Sequence, residues 1–158
     1  TDVEERLVGP APLQQVLGYP GDVGLAAASV ITGNLLLRRP KLRIAFSHGG
    51  GAFGQVLPRM QHASTAMAPI KAAMEEPRAI AKKLFYDTLV YDETALRFLI
   101  DSYGASQLMI GSDYPFSIMD RQPTRHAGNL GLSDSDMDQL LFRNAERFLG
   151  LDRVATRS

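Results

Sequence analysis

The sequence predicts an α/β fold built on a parallel sheet, and two observations indicate it. Apolar runs at residues 43–47, 84–87 and 107–111 alternate with segments that favour helices, which is typical of parallel strands joined by crossover helices. The first run stops at His48 and the last is followed closely by Asp113. In folds with parallel sheets, active sites lie at the carboxyl ends of the strands, so polar residues there mark a candidate site. We therefore expect the order helix, strand, helix, strand, helix, strand, helix.

The composition is that of one ordinary globular domain. Hydrophobic residues make up 45% and charged residues 22% of the 158 residues. Lysine and arginine together number 17, as do aspartate and glutamate, so the charge balance favours neither a nucleic-acid nor a membrane partner. No apolar run approaches the ~20 residues that span a bilayer. The absence of cysteine excludes disulfides and thiolate metal ligands, and it fits a cytoplasmic protein.

The N-terminal half favours helices that are punctuated by proline. Asp22 is a suitable N-cap for a helix that Pro40 would end. The predicted segments are a loop over 1–21 with a helical turn near 13–17, helices over 23–38 and 52–66 with a kink or restart near Pro58, and a helix over 67–83 interrupted at Pro77.

The C-terminal half continues the alternation. Asp92 is a suitable cap for a helix whose apolar residues recur from Leu96 to Tyr103 at helical spacing. Residues 114–131 favour a loop. Ser133 opens a capping box for a last helix that Gly150 would end, and Asn144 on its apolar face is expected to be a buried hydrogen-bonding residue.

The glycine-rich segment after the first strand allows several interpretations. Residues 49–54 fit the G-x-G-x-x-G dinucleotide fingerprint, but the required acidic residue should end the next strand, whereas Glu75 and Glu76 lie in a helical segment. A His-Gly-Gly-Gly oxyanion loop would need a G-x-S-x-G nucleophile elbow, which the sequence lacks. We favour a sharp turn beside a catalytic His48. A glycine turn after a core histidine remains the simpler alternative.

Asp113 allows two interpretations. It could ligate a metal or orient a water, or it could form an Asx-type turn. The presence of His48 at another strand end favours a functional role for both. From the residues alone, Arg59 is predicted to be a solvent-exposed arginine on a helix. Asp87 ends the second strand, and its neighbours in the sequence do not indicate a role.

Four ordered segments resemble the amidohydrolase superfamily, in the branch of aminocarboxymuconate-semialdehyde decarboxylase and related decarboxylases. These segments are residues 40–53, 85–90, 110–116 and 144–150. The resemblance implies the C-terminal half of a metal-dependent-hydrolase-type (β/α)₈ TIM barrel, whose strands six, seven and eight would be the three strands here. Residues 1–158 would then be the C-terminal portion of a single barrel domain, with the N-terminal half outside this chain.

The resemblance also implies roles for individual residues. Asp113 matches a ligand of a divalent metal, usually Zn²⁺, and His48 matches the histidine that performs acid/base chemistry beside it. Arg59 matches an arginine that reaches the substrate carboxylate in the neighbouring subunit of a homodimer, and Phe116 matches an aromatic residue that lines the pocket. The family's His-x-His metal ligands are absent from this chain, and Gln15 stands where the decarboxylase has a tryptophan.

The implied activity is metal-dependent, non-oxidative decarboxylation through a metal-activated water. The substrate would be a small carboxylic acid that is muconate-semialdehyde-like or derived from an aromatic compound. One alternative is a hydrolase or hydratase of the same superfamily that acts on a lactone, an amide or an unsaturated acid. Another is a non-catalytic fragment, because the His-x-His ligands are missing.

Overall fold

The structure is a computed structural model that describes residues 7–10 and 12–151. The chain divides into two compact units. Unit 1 comprises Thr1–Leu42 and Gly50–Ala81, and unit 2 comprises Arg43–Gly49 and Lys82–Ser158. The sheet lies entirely in unit 2. The expected segment over residues 1–21 lies partly outside the described residues.

The regular elements in the described part of unit 1 are helical, and the first α-helix differs from the expectation. Helix α1 begins at Tyr19, not at residue 23, because Pro20 occupies its first turn, where a missing N–H costs little. Asp22 therefore lies inside the first turn and is not the N-cap. The helical elements of unit 1 are a π-helical turn at Gln14–Gly18, α1 at Tyr19–Thr32, α2 at Leu35–Arg38, α3 at Phe53–Ala66, α4 at Ala68–Ala73 and α5 at Pro77–Ala81.

Two breaks in unit 1 have local causes. Asn34, with φ of 51°, separates α1 from α2, so the single helix expected over 23–38 is wrong. The Asn34 side chain donates to the Ala73 carbonyl at 2.7 Å, which ties this break to the end of α4. Pro58 lies inside the continuous helix α3, and the expected restart does not occur. The interruption at Pro77 is confirmed, since α5 begins there.

Unit 2 contains a parallel sheet of three strands in the order β1-β2-β3, which confirms the predicted α/β fold. Ala45 pairs with Phe85, and Tyr86 pairs with Leu108. The strands are shorter than the apolar runs suggested, and Gln107 belongs to a 3₁₀ turn that precedes β3. The strands are β1 at Ala45–Phe46, β2 at Phe85–Asp87 and β3 at Leu108–Met109.

The helices of unit 2 follow the predicted caps. The Asp92 carboxylate accepts the Ala95 N–H at 2.8 Å, and the Ser133 hydroxyl accepts the Asp136 N–H at 3.1 Å. Gly150, with φ of 78°, ends the last helix. The helical elements that lie wholly or mainly in unit 2 are 3₁₀ turns at His48–Gly50 and Ala105–Gln107, α6 at Glu93–Tyr103, α7 at Arg125–Asn129, α8 at Asp134–Asp138, a π-helical turn at Gln139–Arg143 and α9 at Asn144–Leu149.

Helix α7 was not expected, because residues 114–131 show no helical periodicity of apolar residues. It is little more than one turn, and only Ala127 is buried within it. Its stabilising contacts are tertiary, since Nδ1 of His126 lies 3.0 Å from Oε1 of Glu93 on α6. A segment this short gives sequence reasoning too few apolar positions to detect.

The core of unit 2 is formed by the sheet and by the apolar faces of α6 and the C-terminal helices. The Tyr86 and Tyr103 rings stack with centroids 3.9 Å apart, which joins β2 to α6. Asn144 is 1% exposed and donates to the carbonyls of Ala105 and Leu108 at 2.8 and 2.7 Å. This confirms its predicted role as a buried hydrogen-bonding residue. Other buried members of this core are Leu84, Leu96, Leu99, Leu108 and Leu140.

Within the part of the chain that the structure describes, no helix is both long enough and apolar enough to cross a membrane.

Candidate active site

The candidate site lies at the carboxyl end of the sheet in unit 2. His48 follows β1, Asp87 is the last residue of β2, and Asp113 follows β3. Because the strands are parallel, all of these residues leave the sheet at the same edge. The prediction that His48 and Asp113 leave the sheet at one edge is therefore confirmed by the geometry.

The imidazole of His48 faces the carboxylate of Asp113. Nε2 lies 4.0 Å from Oδ1, and the two side chains are 16% and 19% exposed. This separation is too long for a hydrogen bond and lies at the outer limit of the distance between ion-pair partners. Both groups remain accessible from outside the sheet, so the pair can meet a small molecule.

His48 and Asp113 both have backbone conformations that residues other than glycine rarely adopt. The φ angle is 54° at His48 and 60° at Asp113. For residues other than glycine this left-handed region costs about 1–2 kcal/mol, and such conformations cluster at functional sites. Gly49, with φ of 60°, follows directly, and a Cβ there would lie 2.5 Å from Cδ1 of Leu99. The glycine is required for the turn that presents His48.

The loop after β3 is closed by its own backbone. The Phe116 N–H donates to the Asp113 carbonyl at 2.9 Å, and the Asp120 N–H donates to the Ser112 carbonyl at 2.9 Å. Phe116 keeps 47% of its surface exposed, which leaves its ring available for contact. The loop therefore presents Asp113 and Phe116 together.

Tyr91 also belongs to this edge, and the sequence analysis missed it. Its hydroxyl donates to the Ile118 carbonyl at 3.0 Å, which ties the loop after β2 to the loop after β3. Desolvation raises the pKa of the Tyr91 hydroxyl, and so do the negative charges of Asp113 and Asp120. A tyrosine four residues beyond a strand carries no distinctive sequence signal.

Asp87 is the second residue whose position at this edge the sequence did not explain. Its Oδ1 accepts the N–H groups of Gly49 at 2.9 Å and Leu89 at 3.1 Å. Burial raises the pKa of the Asp87 carboxyl, although these backbone N–H groups and that of His48 lower it. Asp87 stands at the end of a strand, as His48 and Asp113 do, and this position is the sequence signal that could have identified it as part of the site.

The remaining predicted site residues lie in unit 1. Arg59 is exposed on α3, and Gln15 is half-buried in the π-helical turn before α1. The site in unit 2 thus contains His48, Asp113 and Phe116 from the predicted set.

The donor atoms at the site fit part of a metal coordination sphere. A carboxylate and an imidazole are typical ligands of Zn²⁺ and related divalent ions. Among residues 7–10 and 12–151, however, no three histidine, aspartate or glutamate side chains gather closely enough to hold a metal ion. Asp113 could therefore contribute to a metal centre beside His48, and further ligands would have to come from beyond the described part of the chain.

Comparison with known proteins gives a consistent family assignment. The amidohydrolase family model matches residues 8–151. A 2-amino-3-carboxymuconate-6-semialdehyde decarboxylase of Dictyostelium discoideum is 35% identical over 143 residues, which are 89% of this chain and 40% of the relative. The enzyme of the same name from Caenorhabditis elegans is 33% identical, over 87% of this chain and 35% of the relative. The chain thus spans about two fifths of the length of these relatives.

Solved structures show the same partial coverage of one fold. The apo form of IDCase from Metarhizium anisopliae superposes with a TM-score of 0.75 at 21% identity, covering 89% of this chain and 42% of the other. A dihydroxybenzoic acid decarboxylase from a Polaromonas species, solved with bound manganese and the inhibitor 2-nitroresorcinol, gives 0.74 at 17% identity, covering 92% and 48%. At these identities the match establishes the fold alone, and it is consistent with part of a TIM barrel.

Proposed function

This chain belongs to the amidohydrolase family, and on that premise we propose that it is the C-terminal part of a metal-dependent, non-oxidative decarboxylase. The relatives that cover most of this chain are named as decarboxylases. The observation that supports the proposal best is the pairing of His48 with Asp113, with 4.0 Å between Nε2 and Oδ1 at the carboxyl end of a parallel sheet.

The substrate class follows from the relatives and from the reaction. We assign a small carboxylic acid that is muconate-semialdehyde-like or derived from an aromatic compound. In decarboxylation the bond between the carboxylate carbon and its neighbour breaks, carbon dioxide leaves, and the electron pair stays on the neighbouring carbon. That carbon must then receive a proton, so the site needs a group that can hold and deliver one near neutral pH.

His48 suits this proton transfer. Imidazole both accepts and donates protons near neutral pH, and the His48 ring is partly exposed beside Asp113. His48 is thus the general acid/base of the proposed reaction, and the turn at Gly49 presents its ring at the sheet edge.

Asp113 is the metal ligand that this chain contributes. A divalent metal, for which we propose Zn²⁺, would supply Lewis-acid polarisation when bound. The bound manganese of the Polaromonas decarboxylase supports a divalent ion at this type of site. Backbone hydrogen bonds close the loop that carries Asp113, so they hold the main chain of this residue at the carboxyl end of the sheet.

Phe116 and Arg59 complete the proposal on the substrate side. Phe116 presents an exposed ring on the same loop as Asp113, suited to contact with a planar, unsaturated acid. Arg59 is exposed on α3, and a guanidinium binds carboxylates by paired hydrogen bonds. Its role requires a homodimer, in which it reaches the substrate of the neighbouring subunit.

The test uses the protein expressed from its complete reading frame. Elemental analysis should find about one divalent ion per subunit, as expected for a catalytic site of this type. Release of carbon dioxide from muconate-type and aromatic acids should stop on chelation and return on adding metal. A protein that holds no metal after reconstitution, or that cleaves a lactone or amide without releasing carbon dioxide, would contradict the proposal.

A further inference from the structure

The Asp87 side chain contacts the loops that follow both neighbouring strands. It ends β2, the central strand of the sheet. On one side, Oδ1 accepts the N–H of Gly49, the residue directly after His48, at 2.9 Å. The same oxygen accepts the N–H of Leu89 at 3.1 Å, which fixes the carboxylate relative to its own strand.

On the other side, Asp87 fills the space beside Gly111. A Cβ on Gly111 would lie 2.7 Å from Cβ of Asp87 and 2.9 Å from both Cγ and Oδ2. Real side chains do not approach this closely, so the two residues occupy one space that only glycine leaves open. Gly111 stands two residues before Asp113. The same carboxylate therefore abuts the chain on each side of the candidate site.

The backbone supplies two hydrogen bonds to one oxygen of this carboxylate. The N–H groups of Gly49 and Leu89 both donate to Oδ1. A carboxylate that is largely removed from water is costly unless it is hydrogen-bonded. Its position between two functional loops indicates a role in holding them.

We propose that Asp87 is the positioning residue that sets the separation of His48 and Asp113. It anchors the His48 turn through Gly49 and limits the approach of the Asp113 loop through Gly111. The expected effect on catalysis rests on the proposed function, whereas the anchoring of the two loops does not depend on it. Asp87 acts through these neighbours and does not take part in proton transfer.

The test compares Asp87→Ala and Asp87→Asn with a control variant in the full-length protein. Asn keeps Oδ1 as an acceptor, so it should retain the Gly49 hydrogen bond that Ala removes. The control is Phe85→Leu, which lies on the same strand and loses part of a buried ring contact with Phe148, at 5.3 Å between centroids. It weakens packing without touching either loop.

Hydrogen exchange measured by mass spectrometry tests the hydrogen bond from the Gly49 N–H to Asp87 directly. The peptide that contains Gly49 should exchange faster in Asp87→Ala than in Phe85→Leu, and Asp87→Asn should restore most of the protection. Equal exchange in Asp87→Ala and Phe85→Leu would overturn the proposal. Because this readout needs no substrate, it decides the anchoring even if the wild-type protein releases no carbon dioxide and the proposed function fails.

Steady-state kinetics measures how the loss of this hydrogen bond affects kcat and KM. With saturating metal, Asp87→Ala should lower kcat by about 10- to 100-fold, as loss of a supporting residue does at such sites, with KM changed much less. Asp87→Asn should recover most of kcat, and Phe85→Leu should match the wild type per folded molecule. A wild-type kcat in Asp87→Ala would overturn the positioning role.

Discussion

His48 and Asp113 face each other with 4.0 Å between Nε2 and Oδ1, and each has a left-handed backbone where the chain turns after its strand. The two turns aim side chains from different strands at one place. Neither strand would bring its residue there alone, since the sheet fixes only the edge at which they leave.

His48→Ala in the full-length protein should reduce kcat by at least about 100-fold, the usual contribution of a general acid/base. Metal content, measured by elemental analysis, should remain largely unchanged because Asp113 is intact. His62→Ala, which removes another histidine on α3, is the control and should retain activity. Turnover that survives in His48→Ala would remove the residue from the mechanism.

Asp113→Ala should lose bound metal, because it removes the carboxylate that we propose as a metal ligand. Asp120→Ala is a matched control on the same loop, where its carboxylate accepts the Gln122 N–H at 2.8 Å. We expect the control to keep the metal. Elemental analysis after dialysis checks both, and equal metal content in the two variants would exclude Asp113 as a ligand.

Gly49→Ala should destabilise the protein by at least about 1–3 kcal/mol, the usual cost of overpacking. The added Cβ would meet Leu99 at 2.5 Å and Val90 at 2.8 Å, at a φ of 60°. Gly128→Ala is the control, because nothing lies within 4 Å of a Cβ there, and it should be neutral or slightly stabilising. Urea denaturation of both variants measures the difference, and equal midpoints would contradict the expected clash.

Asn144→Leu should lower the free energy of unfolding by about 1–3 kcal/mol, since buried carbonyls lose their donor. These are the carbonyls of Ala105, in the turn before β3, and of Leu108, the first residue of β3. Arg143→Ala, at a neighbouring exposed position, should change stability by less than about 0.5 kcal/mol. Denaturant unfolding distinguishes the two variants. A loss in Asn144→Leu no larger than in Arg143→Ala would show that the buried amide is dispensable.

Acid should weaken the contact between α6 and α7 through Glu93. The hydrogen bond from Asn129, and secondarily the one from His126, lowers the pKa of Glu93 from 4.5 to about 2. A carboxyl with a lowered pKa in the folded state stabilises above the unfolded value, so this stabilisation should disappear as the pH falls from 4.5 towards 2. Asn129→Ala should raise the Glu93 pKa, measured by NMR titration, and an unchanged pKa would contradict the assignment.

Part of the fold follows directly from local chemistry. The helix over Glu93–Tyr103 could be predicted because Asp92 caps it and because the apolar residues of the helix recur on one face. The break between α1 and α2 could not, because it depends on Asn34 adopting a left-handed backbone and bonding to distant Ala73. Strand lengths were overestimated because apolar residues continue past the paired segment, as Ile110 does after β3 at Leu108–Met109.

The sequence by itself determined the α/β class, the strand-end residues His48 and Asp113, and the role of Asn144, since each depends on residue type and local periodicity. Only the tertiary structure decided that the Asp87 carboxylate lies between Gly49 and Gly111 and that Tyr91 joins two loops. These relationships depend on which strands are neighbours and on the space between them. A carboxylate at a strand end looks the same in sequence whether it points to solvent or holds two loops apart.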